Sequence, residues 1–389
     1  TFNNPYQYFF EQMHMDDAIY ADESIYEYPM QQGGGNDGRP YSFGRPSSGG
    51  SKAAYPCKSY GQGRINPAYF YGIFDPNDMR RDVSITMTGS NGKGVEKLIP
   101  FVPNSKAEGG GLTLNKWDEN RQANPWVAAQ RKSGINGPYM RMSEVYLGYA
   151  EVCAALGDVV TGKQYLKTVR ERSFPQGLAN TDAFIASFGN DLVRAIIEER
   201  GFEYAGEGDR RWTLIRSGYL PEDIKRIKDM TKAMMDGLAT KGYYEFENGN
   251  IISAYIWTKL VDAKTIYGHR LTAQCPMDKV NDPVLYPGWR GQKDNWEEMG
   301  LNYGSSTPAT NLAIKGLFEI VSEEEAASLE SQGYTKVNWG IDLVDNRDEY
   351  DKYLFWDYDY VSAPIYLWPF TPNVMAAGGF TNGYGFKQE

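Results

Sequence analysis

From Pro138 onward the chain carries a regular spacing of apolar positions. Met142, Val145, Tyr149, Val152 and Leu156 recur at intervals of three and four, which places them on one face of a helix. Ala150, Cys153 and Ala154 sit beside that stripe and are small enough to let a partner helix approach closely. Gly157-Asp158 stops this helix, and Gly162 to Arg172 predicts a second one with Tyr165, Leu166 and Val169 inward. The pair is a helical hairpin of roughly 34 residues, the tetratricopeptide length. A third helix is predicted from near Asp182 to Arg200, with Phe184, Ile185, Phe188, Leu192, Ile196 and Glu199 on one face. Ala309 to Leu329 predicts another, on Leu312, Leu317, Ile320 and Val321.

Between these elements the pattern is less regular. Phe2 to Tyr28 mixes helical and aromatic character, and Gly33 to Asn66 is rich in Gly, Ser and Pro, which marks a long loop. The helical repeat core spans 139–217, a long mixed insertion follows over 219–303, and the Pro-, Gly- and aromatic-rich remainder is expected to wrap over the helices. No linker divides the chain, so 1–389 is read as a single domain.

Charge and composition narrow the partners. The formal net charge is -10 and the pI is about 5.0, which argues against nucleic acid, since phosphate neutralisation needs a basic face. The longest apolar stretches fall well short of the ~20 residues of a spanning helix. Cys57, Cys153 and Cys275 are too few and too scattered for a disulfide framework or a zinc knuckle. With His14 and His269 the only histidines, there is little material for histidine-dependent catalysis or a polyhistidine metal site. Asp342, Asp345, Asp348, Asp351, Asp357 and Asp359 are dense, but they lack the calcium-loop pattern and read as a solvated acidic surface. No catalytic residue, metal or cofactor is predicted.

The aromatic content, with 29 Tyr and 9 Trp, suits another chemistry. Sugar rings dock their C–H faces on flat aromatic side chains while their hydroxyls bond to amide, carboxylate and Arg groups at the rim. The candidates are aromatics in polar loops. Tyr41, Phe43, Arg45, Tyr55 and Tyr60 lie in the 33–66 loop. Trp117 and Trp126 flank polar residues, and Trp289 and Trp296 bracket Arg290, Gln292, Asp294 and Asn295 on a turn begun by Pro287-Gly288.

Several longer motifs occur in a fixed order. The chain reads Arg141-Met-Ser-Glu144-Val-Tyr146-Leu147-Gly-Tyr-Ala150-Glu151, then Thr168-Val169-Arg170-Glu-Arg172, then Glu199-Arg200-Gly-Phe-Glu203-Tyr-Ala-Gly-Glu207-Gly208-Asp-Arg210-Arg-Trp-Thr-Leu214-Ile-Arg216-Ser-Gly218. Tyr71 to Arg81 lies upstream, and Tyr366 to Pro372 with Asn382-Gly-Tyr384 lies downstream. Together these resemble the SusD/RagB family of outer-membrane nutrient-binding lipoproteins, from about Glu23 to Phe386. Ser143 stands where the family usually has Ala, and Thr213 where it often has Asp.

The resemblance implies a mainly α fold, with tetratricopeptide-like repeats packed against an irregular, loop-rich lobe. It also implies that Glu198, Glu199, Arg200, Glu203, Glu207, Asp209 and Arg210 are scaffold, and that the segment ahead of Asp75 and Arg80 helps form the ligand-facing surface. The implied function is non-enzymatic capture of an oligosaccharide at the cell surface and delivery to a SusC-like TonB-dependent transporter. A peptide ligand, a helical-repeat glycoside hydrolase and a pure scaffold are the alternatives. Family members begin with a lipidated Cys and further N-terminal repeat helices. Neither appears in this sequence, so the chain is expected to lack its N-terminal part, and membrane attachment rests on the resemblance alone.

Overall fold

The structure is a computed structural model that describes residues 5–13, 23–31, 42–46, 59–90, 96–101, 111–117, 134–262, 310–348, 366 and 370–379. The fold is mainly α. Among the described residues its α-helices, in chain order, are α1 (Pro5–Gln12), α2 (Arg80–Ser84), α3 (Met142–Ala155), α4 (Val159–Glu171), α5 (Thr181–Ala186), α6 (Leu192–Glu203), α7 (Asp209–Ser217), α8 (Leu220–Lys241), α9 (Glu323–Ser331), α10 (Gly340–Asp345) and α11 (Pro372–Gly378), with a π-helical turn over Tyr69–Ile73. The strands are β1 (Ser24–Tyr28), β2 (Arg64–Ile65), β3 (Ile85–Thr86), β4 (Thr88–Ser90), β5 (Glu96–Leu98), β6 (Leu112–Leu114), β7 (Gly137–Arg141), β8 (Tyr243–Glu245), β9 (Ile251–Ser253), β10 (Tyr255–Asp262), β11 (Thr310–Lys315) and β12 (Thr335–Asn338). They form small two- and three-stranded sheets.

The helical hairpin is α3 and α4, packed on α6. Leu147 and Ala150, Leu166 and Val169, and Leu192, Ala195 and Ile196 share one buried cluster. Gly162 lets the helices approach, because a Cβ there would stand 3.0 Å from the Ala150 carbonyl oxygen. Asp158 caps α4, accepting from the Thr161 N–H at 3.1 Å. The apolar stripe of α3 falls on one face as its spacing predicts, but that face is turned to solvent. Val145, Tyr149, Val152 and Leu156 are 42 to 82% exposed, while Ser143, Leu147, Ala150 and Cys153 are buried. The packed face combines Leu147 with the small Ser143, Ala150 and Cys153, and Leu147 and Ala150 meet Leu166, Val169, Leu192 and Ile196.

Two other expectations give way to local chemistry. The third helix is divided into α5 and α6, because Gly189 and Asn190 take left-handed backbone with φ of 64° and 65°. Asp191 then restarts the helix by accepting from the Arg194 N–H at 3.0 Å. Residues 310–315 form strand β11 rather than a helix. They pair antiparallel with β10, Leu312 opposite Leu260 and Ile314 opposite Thr258. The helix that follows is α9, begun by the Ser322 hydroxyl accepting from the Glu325 N–H at 3.2 Å. Glu323, Glu324 and Glu325 in its first turn complement the helix dipole.

The largest core lies beyond the hairpin. Helix α8 drives Met234, Met235 and Leu238 against Phe70, Tyr71, Phe74, Ile256, Ile314 and Trp339. The Trp339 indole N–H donates to the Tyr71 hydroxyl at 2.9 Å. Met234, Met235, Leu238, Phe246, Ile252 and Ile256 contribute to this core, and 263–309 lie outside the described residues. Cys153 is buried and free; Cys57, Cys275, His14 and His269 are not among the described residues. Among the described residues no helix is long and apolar enough to cross a membrane.

Candidate ligand-binding surface

Of the nine residues proposed from sequence to contact ligand, four are described. Phe43 is exposed and Tyr60 is half-buried. They sit on two strands of loop held together by the Gln62 N–H donating to the Ser42 carbonyl at 2.6 Å. Pro46 packs on Gly61, whose φ of +60° and closeness to the proline ring, 2.3 Å from an added Cβ, leave no room for a side chain. Tyr41, Tyr55, Trp126, Trp289 and Trp296 lie outside the described residues.

Arg45 and Trp117 are structural instead. Arg45 is 1% exposed, its N–H bonds to the Trp117 carbonyl at 2.7 Å, and its guanidinium donates to Thr88 Oγ1 at 3.0 Å. It ties the loop down rather than offering a charge to a ligand. Trp117, also 1% exposed, packs with Tyr6, Phe9, Phe10, Leu114 and Ile135, and its indole N–H donates to the Asn136 carbonyl at 3.2 Å. Its neighbours Lys116 and Asp118 made the segment look like a polar loop. Lys116 is in fact buried, with Nζ 2.6 Å from Glu207 and 4.7 Å from the Phe10 ring centre.

Lys116 belongs to a buried ionic cluster built from the long motifs. Glu199 and Glu203 recur one helical turn apart, with Glu207 just beyond α6, so their carboxylates point one way. Arg80 donates to Asp78 at 2.7 Å, Glu199 at 2.6 Å and Glu203 at 3.1 Å. Arg141 reaches Glu203 and Glu207, both at 2.8 Å, and also Glu23. Arg172 bonds to Glu23 at 2.5 Å and to Glu203, and Arg170 bonds to Glu199 at 2.9 Å. Burial alone would raise the Glu203 carboxyl, but Arg172, Arg141 and Arg80 together hold it well below the usual range. Burial likewise opposes ionisation of Glu198, and Arg210 and Arg226 outweigh it, bringing that group to about 2. For Lys116 burial prevails over Glu207 and pushes the ammonium down to about 8. Each of these carboxylates is matched to guanidinium or ammonium groups, an arrangement that locks elements together.

The cluster anchors a β-ribbon that the sequence reading did not single out. Glu23 precedes β1 and Arg141 ends β7, so both strands enter the ribbon from the ionic core. The register opposes Tyr26 to Met140 and Glu27 to Pro138, which leaves Tyr139 as the extra residue of a bulge. A bulge re-aims the side chain it carries. The Tyr139 ring accordingly meets Tyr26 at 5.7 Å and Tyr28 at 5.3 Å, both edge-on, and Tyr26 lies 6.3 Å from Tyr28. The three are 54, 47 and 61% exposed for Tyr26, Tyr28 and Tyr139. Beside them, Glu27 accepts from Ser24 Oγ at 2.5 Å and from Asn136 Nδ2 at 3.0 Å, and Asn136 Oδ1 accepts from the Met30 N–H at 2.8 Å. The available signal was the alternation Tyr26-x-Tyr28, a strand with one aromatic face. Among the described residues no group of three or more His, Cys, Asp or Glu is placed to hold a metal ion.

A model of the SusD family matches residues 15–369. The SusD-like protein P25 of Formosa agariphila is 28% identical over 160 residues, covering 41% of this chain and 26% of that protein. A SusD homologue from Bacteroides thetaiotaomicron is 18% identical with a TM-score of 0.41, covering 61% of this chain and 48% of the other. A laminarin-binding SusD-like protein is 21% identical with a TM-score of 0.40, covering 58% and 48%. The chain thus spans about a quarter of the curated relative and about half of each of these solved chains.

Proposed function

The chain belongs to the SusD family, and from that membership we propose that it captures glycan at the cell surface and passes it to a SusC-like TonB-dependent transporter of the outer membrane. The observation that carries this reading is the family match over residues 15–369. The surface chemistry supports it. Phe43 and Tyr60 place aromatic surface on the loop ahead of the Asp75 to Arg80 segment, and Tyr41, Tyr55, Trp126, Trp289 and Trp296 are proposed to extend it. Attachment through a lipid is part of the same proposal.

Binding is favoured over hydrolysis by the fate of the motif carboxylates. A glycosidase needs one carboxyl held protonated beside another that is ionised. Glu198, Glu199, Glu203 and Glu207 are instead buried and paired with Arg or Lys. Titration calorimetry of the purified chain against a panel of oligosaccharides and peptides tests the proposal. Saturable glycan binding without release of reducing ends is expected. Tight peptide binding with no glycan binding would overturn the sugar reading, and new reducing ends would overturn the non-enzymatic one.

A further inference from the structure

We propose that the outer face of the β1–β7 ribbon is a sugar-binding surface of its own, on which Tyr26, Tyr28 and Tyr139 take the C–H face of a pyranose ring. Single exposed aromatics are common on protein surfaces, but a contiguous aromatic patch marks an interaction site. Here the three rings touch one another, with centres 5.3 to 6.3 Å apart. Two features show that the patch is built. The bulge places Tyr139 on the face that alternation gives to Tyr26 and Tyr28. Arg141 and Glu23, at the two strand ends, are fixed in the buried ionic cluster, so the rings stand on a rigid base.

The ligand class follows from the side chains present. Each phenol offers a flat apolar face and a hydroxyl, the pair of properties a sugar ring requires. The ligand class rests on the glycan-capture reading; the location does not depend on the loop that holds Phe43 and Tyr60.

The test compares the unaltered chain with Tyr26→Ala/Tyr139→Ala, with Tyr26→Phe/Tyr139→Phe and with Phe43→Ala. Affinity is measured for a panel of oligosaccharides. These residues are exposed, so the variants are expected to fold, and a thermal melt checks it. The double alanine variant is expected to bind oligosaccharide roughly tenfold more weakly, and the phenylalanine variant to keep most of the affinity. Protection of Tyr26 and Tyr139 from nitration by bound oligosaccharide is expected in parallel. Unchanged affinity in the double alanine variant, beside an unaltered chain that binds, would overturn this proposal alone. No glycan binding by the unaltered chain would overturn the capture reading and this proposal together. Loss of transporter binding in the double alanine variant with full glycan affinity would reassign the face to a protein.

Discussion

The tyrosine ribbon and the outer face of the α3–α4 hairpin both present apolar side chains to solvent, and they do so in different ways. On the hairpin, Val152, Leu156, Val159 and Val160 are aliphatic and 55 to 82% exposed, and the one tyrosine of the exposed α3 stripe, Tyr149, packs edge-on against Tyr165 of α4 at 4.9 Å. Aliphatic side chains gain free energy only by close packing and make no directional bonds. On the ribbon the exposed groups are phenols, held edge-on to one another and carried by strands rooted in charge. The hairpin follows from repeat geometry, in which each helix pair buries one face on its neighbour. The ribbon needs an ionic cluster beneath it and a bulge within it. Exposure alone is therefore a poor guide to function; how much structure is committed to holding a side chain at the surface is a better one.

The sharpest way to break this contrast is to remove the ribbon's support. Glu203 receives Arg80, Arg141 and Arg172, so Glu203→Ala leaves three guanidinium groups short of a buried partner. A loss of about 3–5 kcal/mol is expected in urea denaturation at neutral pH. A loss under about 1 kcal/mol, typical of exposed pairs, would mean that the cluster is not what anchors the ribbon. Trp117 supports the same strand from behind, through Ile135 and the Asn136 carbonyl. Trp117→Ala is expected to cost about 3–5 kcal/mol, whereas Phe43→Ala should stay within about 0.5 kcal/mol. Equal costs would contradict the assignment of one to the core and the other to the surface.

Acid acts on the same salt-bridged scaffold. Glu198 has its folded value depressed to about 2, and Glu203 is also held low. The unfolded chain takes up these protons near the ordinary value of about 4.3. Their contribution is thus complete above that value and is lost as pH falls through the folded value. For Glu198 the loss amounts to about 3 kcal/mol by the end of the window. Denaturation midpoints measured from pH 7 to acid should fall mainly below the ordinary carboxyl range; a profile that is flat there would remove the ionic clamp from the account.

Sequence patterns located the hairpin and the motif residues, because helical spacing and paired charges are local signals. Leu166 and Val169 are buried as their spacing predicts, and Glu199, Arg200 and Glu203 of the motif are buried and ion-paired. The errors arose where distant segments decide. Nothing near Trp117 in the chain announces α1, whose Tyr6, Phe9 and Phe10 cover it. The buried face of α3 is the one that meets Gly162 and Leu166 across the hairpin, through Ala150 and Leu147. The ribbon is the clearest case, since Tyr139 joins Tyr26 and Tyr28 only through strand pairing and a bulge.

The smallest effect is expected on the hairpin. Val152→Asp and Leu156→Asp place charges where side chains are already 55 and 82% exposed, so nothing buried is desolvated or left unpaired. Each should change stability by no more than about 0.5 kcal/mol, and oligosaccharide affinity should match the unaltered chain. Placed beside Tyr26→Ala/Tyr139→Ala in one titration series, these variants separate the two faces by chemistry rather than by exposure. If the aspartates weaken glycan binding as much as the loss of the tyrosines does, aromatic stacking is not the basis of recognition. If only the tyrosine variants do, the structural commitment beneath the ribbon serves ligand binding, and the hairpin's aliphatic face has no part in it.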